Sequence, residues 1–109
     1  DIRERTFSCP ACSGVLLERR EGGASEFKCL VGHRYSWENL VASQSEATES
    51  ALWAGVRSLT ERAEISRRLL TDAQRTKNAR LATHFRRRIE SLERDAGLIR
   101  KMIEREIKD

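Results

Sequence analysis

Three cysteines and one histidine in the first third of the chain have residue types and spacing suited to metal chemistry. Cys9-Pro10-Ala11-Cys12 is a C-x2-C step followed by Ser13-Gly14, and after sixteen intervening residues comes Cys29-Leu30-Val31-Gly32-His33. Two thiolates separated by two residues can be brought onto one ion by a tight turn, and Gly14 and Gly32 are expected to take the positive φ that such turns use. Cys9, Cys12, Cys29 and His33 are therefore expected to ligate Zn2+. Four protein donors close a tetrahedral shell and leave no position for water or substrate, which makes the expected zinc structural and not catalytic. A disulfide framework would call for an even cysteine count and a secretory context, and a thioredoxin-like pair would call for a βαβ surround; neither is present. A nucleophilic cysteine would need a base and an open site. His33 is the least standard member, because its C-x3-H step departs from a second C-x2-C. The only other imidazole, His84, lies in helical sequence and reads as a surface or half-buried helix residue.

These ligands must be held by short elements. Val15–Arg19 and Ser25–Cys29 read as two strands around Glu21-Gly22-Gly23-Ala24, a loop with the glycines a hairpin requires. The expectation is a zinc ribbon over residues 1–36, a length too short to hold a core without the metal. From Ser36-Trp37-Glu38 the pattern becomes helical, with an N-cap hydroxyl and an acidic first turn, and the single Pro lies behind at position 10. Leu52, Val56, Leu59, Ala63, Leu70 and Ala73 keep four-three spacing with a polar break at Ser66. Ala82, Phe85, Ile89, Leu92, Ala96, Ile99 and Ile103 keep it without a miss. Gln74–Asn78 carries no seam residue, so the bend is expected at 76–78, between helices over about 37–75 and 78–107. The fold class expected is mainly α with a small β zinc ribbon, the ribbon being followed by a long antiparallel helical hairpin over 37–109. Two seams alone bury little surface, so a homodimer through the helices is a further expectation. Gly55 and Gly97, costly inside helices, are read as marks of close helix approach, and Trp37 and Trp53 as core, with caps of the ribbon end or part of an interface as the alternatives.

The 109 residues are 35% charged and 39% hydrophobic, with six glycines and six aromatic residues, which argues against an all-β sandwich or barrel. No stretch approaches the length of a membrane-spanning helix, and the start lacks the features of a signal peptide. Nothing in these features indicates secretion. The missing initiator Met suggests a segment of a longer protein. The net charge of +4 is unevenly distributed: residues 62–88 hold nine basic and two acidic side chains, and the residues on either side are acidic in sum. Arg67, Arg68, Arg75, Lys77, Arg80, Arg86, Arg87 and Arg88 form a candidate surface for an anion or partner, nucleic acid among them. A solvated helix face is the plainer reading. Phe85 is the only aromatic residue nearby and belongs to the seam, which argues against base stacking.

Phe7–Leu16, Phe27–Ser36, Gln44-Ser45-Glu46-Ala47 and Ala51-Leu52-Trp53-Ala54 together resemble the carboxy-terminal extension of some CheB-type bacterial chemotaxis methylesterases. The resemblance extends over nearly the whole chain, and its specific part lies within residues 7–60. It implies a cytoplasmic bacterial protein in which a protein-glutamate methylesterase domain precedes Asp1. It implies the same metal set and transfers no catalytic residue, since the Ser, His and Asp of that esterase have no matching motif here. The function expected is a non-enzymatic zinc-binding module that docks on a protein partner or on the attached enzyme. Nucleic-acid binding by the zinc-ribbon protein through the basic hairpin tip is the alternative.

Overall fold

The computed structural model describes residues 7–108. It is mainly helical, with a small antiparallel sheet at the amino-terminal end: β1 Phe7–Ser8, β2 Val15–Glu21, β3 Ala24–Cys29, β4 Arg34–Tyr35, α1 Trp37–Arg75 and α2 Ala79–Lys108. The strands lie in the order β1-β2-β3-β4. The β2–β3 hairpin is longer than the sequence suggested. Pairing runs from Leu16↔Cys29 to Glu21↔Ala24, so the loop contracts to Gly22-Gly23, whose φ values of 59° and 82° give the left-handed turn that matches strand twist. The two short outer strands were not expected. Each is two residues long and is defined by its ladder to a neighbour, Phe7↔Leu16 on one edge and Phe27↔Tyr35 on the other.

The chain divides into two compact units between Thr48 and Glu49, inside α1. The sequence placed a boundary at 36/37, where helical periodicity begins. The amino-terminal unit takes in the first three turns of α1 because Leu40 belongs to its core, with Cys9, Leu16, Phe27 and Cys29. Phe27 has no solvent exposure, and its ring centroid lies 5.7 Å from that of Phe7 and 4.7 Å from that of Trp37, both edge to face. Trp37 covers this core with one face while remaining half exposed. At the start of α1 the Ser36 hydroxyl accepts the Asn39 amide at 3.1 Å, the N-cap read from the sequence.

In the second unit both seams turn inward. Val56, Ala63, Ser66 and Ala73 of α1 and Ala82, Leu92, Ala96 and Ile103 of α2 are buried, and Leu52, Leu59, Leu70, Phe85, Ile89 and Ile99 are half-buried. The polar break at Ser66 thus occupies a true seam position. The helices run antiparallel: a Cβ on Gly55 would meet Ile99 Cδ1 at 3.6 Å, and further along α1 Arg67 pairs with Glu93. That 3.6 Å is ordinary contact, and a Cβ on Gly97 would meet nothing within 4 Å, so neither glycine marks an exceptionally close approach. Trp53 is 46% exposed and is not core.

The bend falls at 76–78 and has a specific closure. The Asn78 amide donates to the Ala73 carbonyl at 2.8 Å and the Lys77 amide to that of Gln74 at 3.1 Å, with Lys77 at φ 57°. This is a Schellman cap with lysine where glycine is usual. Asn78 then starts α2, its Oδ1 accepting the Leu81 amide at 3.1 Å. Because a Cβ is disfavoured in the left-handed region, Lys77→Gly is expected to raise stability by about 1 kcal/mol. A denaturant melt monitored by helix content checks this; a lower midpoint would show that Lys77 contributes something other than backbone geometry.

Candidate metal centre

The sheet brings the four residues of the two knuckles together. One ligand atom from each of Cys9, Cys12, Cys29 and His33 lies within 4.8 Å of the other three. Cys12 Sγ is 3.8 Å from Cys29 Sγ, and His33 Nδ1 is 3.5 Å from Cys9 Sγ and 3.2 Å from Cys29 Sγ. Metal–sulfur bonds of ~2.3 Å and metal–nitrogen bonds of ~2.05 Å in a tetrahedron place sulfurs ~3.8 Å apart and sulfur from nitrogen ~3.6 Å apart. The donor set fits such an ion, and these four residues could hold one.

Each knuckle is a turn closed by its own backbone. Ser13 donates to the Cys9 carbonyl at 2.7 Å and Cys9 to the Gly14 carbonyl at 2.7 Å. In the second knuckle Gly32 donates to the Cys29 carbonyl and Cys29 to that of His33, both at 3.1 Å. Gly32 takes the expected positive φ, at 115°. In the first knuckle that role falls to Ser13, at φ 65°, and not to Gly14. Gly14 instead gives its amide to the Cys12 sulfur, and a Cβ there would sit 3.4 Å from that Sγ.

The electrostatics favour bound positive charge. Burial pushes the Cys9 thiol up, but the Tyr35 hydroxyl and the amides of Cys12 and Ala11 outweigh it and leave the thiol more acidic than usual. At Cys29 the burial penalty is overcome by the amides of His33, Gly32 and Val31 and by the His33 ring, which bring the thiol down to about 6. Cys12 receives the Gly14 amide, yet burial and the two neighbouring sulfurs push its thiol up. His33 is raised, chiefly by its hydrogen bond with Cys29. Three sulfurs so close repel as thiolates, and a cation at their centre removes that conflict.

Tyr35 is a neighbour that spacing did not reveal. Its hydroxyl lies 3.3 Å from Cys9 Sγ, and that sulfur pushes the phenol up to about 12. Tyr35 is on β4 and Cys9 just beyond β1, at opposite edges of the sheet order, so only the folded sheet joins them. Such outer contacts orient a ligand and tune its basicity.

The basic residues proposed from the sequence separate into groups. Arg67 pairs with Glu64 at 3.5 Å and with Glu93, Arg68 with Glu64 at 3.3 Å, and Arg75 with Asp72 at 2.8 Å. Lys77 and Arg86 line a groove at the bend with Gln74, Asn78 and Thr83. Arg87 and Arg88 line a different groove, together with Arg62 and His84, which the candidate surface did not include. Arg80 is exposed and lines neither. His84 is exposed on α2, as a surface helix residue would be. Among the described residues no helix is long and apolar enough to cross a membrane. No family model matches the chain, and no curated protein or solved structure matches it.

Proposed function

We propose that the chain is a non-catalytic zinc-binding module that docks on a protein partner and serves an attached bacterial signalling methylesterase of the chemotaxis type, in the cytoplasm. The observation that carries the zinc is the convergence of Cys9, Cys12, Cys29 and His33 within 4.8 Å. Three thiolates and an imidazole suit zinc among the biological divalent ions, and four protein donors complete its preferred shell. The ion would join the two knuckles and supply the folding free energy that so small a sheet lacks. It would carry out no reaction.

Docking is supported by the second knuckle. Leu30 and Val31 are 89% and 75% exposed, held at the tip of a turn whose backbone the metal site restrains. Beside Leu30 is a groove on the outer face of the β2–β3 hairpin, walled by Glu21, Glu26, Arg19, Lys28 and Arg34. Exposed apolar side chains beside a rim of mixed charge suit a protein contact. The attached enzyme rests on the sequence resemblance to chemotaxis methylesterase extensions.

Native mass spectrometry of the purified chain tests the central claim. One zinc per chain is expected, in a species of one or two chains. A substoichiometric metal content, with amide dispersion unchanged by a chelator, would overturn the structural-zinc reading.

A further inference from the structure

We propose that the helical unit carries a second site, independent of the metal: a groove between α1 and α2 that binds the phosphoryl group of a compact phosphorylated ligand. The groove is about 310 Å³, within the range of small-ligand sites. Leu59 and Leu92 contribute apolar lining, and Arg62, Arg87, Arg88, His84, Ser91 and Asp95 complete it.

The central observation is the convergence of like charge on one groove. Arg62, Arg87 and Arg88 line it together, and none of the ion pairs among the described residues uses them, a property they share with most basic side chains of the helices. Three guanidiniums against the single carboxylate of Asp95 leave two positive charges unbalanced in one groove. Arg62 comes from α1 and the other two from α2, so the antiparallel seam holds like charges together that the sequence keeps more than twenty residues apart. Such a juxtaposition opposes folding slightly. An anion bound in the groove would offset it.

Guanidinium forks match phosphate oxygens in pairs, and the Ser91 hydroxyl and an imidazole N–H of His84 are additional donors. Asp95 repels an anion from its own edge of the groove and so limits the size of the ligand. A nucleic-acid strand would need cations continuing along the groove, but the only cation α1 contributes to its lining is Arg62, and beyond Arg88 the lining of α2 runs to Asp95. A discrete phosphoryl group is therefore favoured over a polyanion.

Titration of the zinc-loaded chain with sodium pyrophosphate at constant ionic strength, followed through the arginine Nε–Hε and His84 ring resonances, tests this. Saturable shifts are expected at Arg62, Arg87 and Arg88. Arg62→Gln and Arg88→Gln alter exposed side chains and leave the fold intact; each is expected to weaken binding about tenfold, the scale of one charge-assisted hydrogen bond. Arg68→Gln, which removes an exposed charge outside the groove, is expected to change it less than about twofold. Shifts that spread over all basic residues, or an equal loss in Arg68→Gln, would overturn the site as a nonspecific electrostatic effect. Binding of a short DNA duplex without any response to pyrophosphate would overturn it in favour of a nucleic-acid surface. Because every residue involved lies in the helical unit, failure here is distinguishable from failure of the zinc reading.

Discussion

Replacing Cys29 with Ser is expected to unfold the amino-terminal unit while leaving α2 helical. Cys29 is the hub of the cluster, in contact with Cys12 Sγ and His33 Nδ1 and receiving the amides of Val31, Gly32 and His33. Structural zinc contributes about 10 to 16 kcal/mol to the folding of small domains, which exceeds the stability most domains possess. Losing one of four ligands forfeits most of that. Cys29 is also buried in the core, so Cys12→Ser provides the cleaner comparison: Cys12 is exposed, and unfolding on its replacement must come from the lost ligand and not from lost packing. Amide resonances of β2 and β3 are expected to collapse into the random-coil region in both variants, as on addition of a chelator to the parent. Most of the ellipticity at 222 nm should survive, because the buried seam from Val56 to Ile103 contains no metal ligand. Native-like dispersion with full metal content in both variants would exclude these residues as the ligand set.

Phe27→Ala is expected to have the second largest effect, and by a different route. Phe27 is fully buried at the centre of the ribbon core, and it follows Ser25 and precedes Cys29 on one face of β3. Truncating a buried phenylalanine costs about 3 to 5 kcal/mol through lost transfer energy and the cavity left behind. Its edge-to-face contacts with Phe7 and Trp37 add to the loss. Phe27→Leu should recover part of the cost. Trp37 provides the readout: its emission should shift to the red, and the guanidinium midpoint of that signal should fall. Zinc affinity should fall with it, since Cys29, two residues along the same strand face, loses its packing support. A midpoint within about 1 kcal/mol of the parent would show that metal ligation alone determines the unit's stability.

Tyr35 bears on how such a cluster could be found. The knuckles were legible because a metal turn is a local event: the number of residues between two thiolates decides whether both reach one ion, and that number is written in the chain. Tyr35 carried no such signal, since its relation to Cys9 runs through sheet pairing across 26 positions. The exchange of roles between Ser13 and Gly14 has a similar origin. Both residues suit a tight turn, and in the folded knuckle Ser13 takes the left-handed position while the Gly14 amide faces the Cys12 sulfur.

The amino-acid sequence by itself determined the ligand set's proximity, the β2–β3 hairpin, the two helices, the bend at 76–78 and which faces form the seam. These follow from spacings of two, three and four residues, which act through covalent reach and helical period. Tertiary structure alone decided where the first unit ends, because Leu40 and Trp37 lie in helical sequence yet pack against the sheet. It also decided the ion pair between the helices, Arg67 with Glu93. The pairs of Arg67 and Arg68 with Glu64 and of Arg75 with Asp72 lie three or four residues apart on α1 and follow from helical spacing. Arg67 and Arg62 are both exposed arginines on one helix, but the first pairs with Glu93 of α2, while the second shares a groove with Arg87 and Arg88. Charge in a folded chain acts through space, over distances that the order of residues does not encode until two helices are laid side by side.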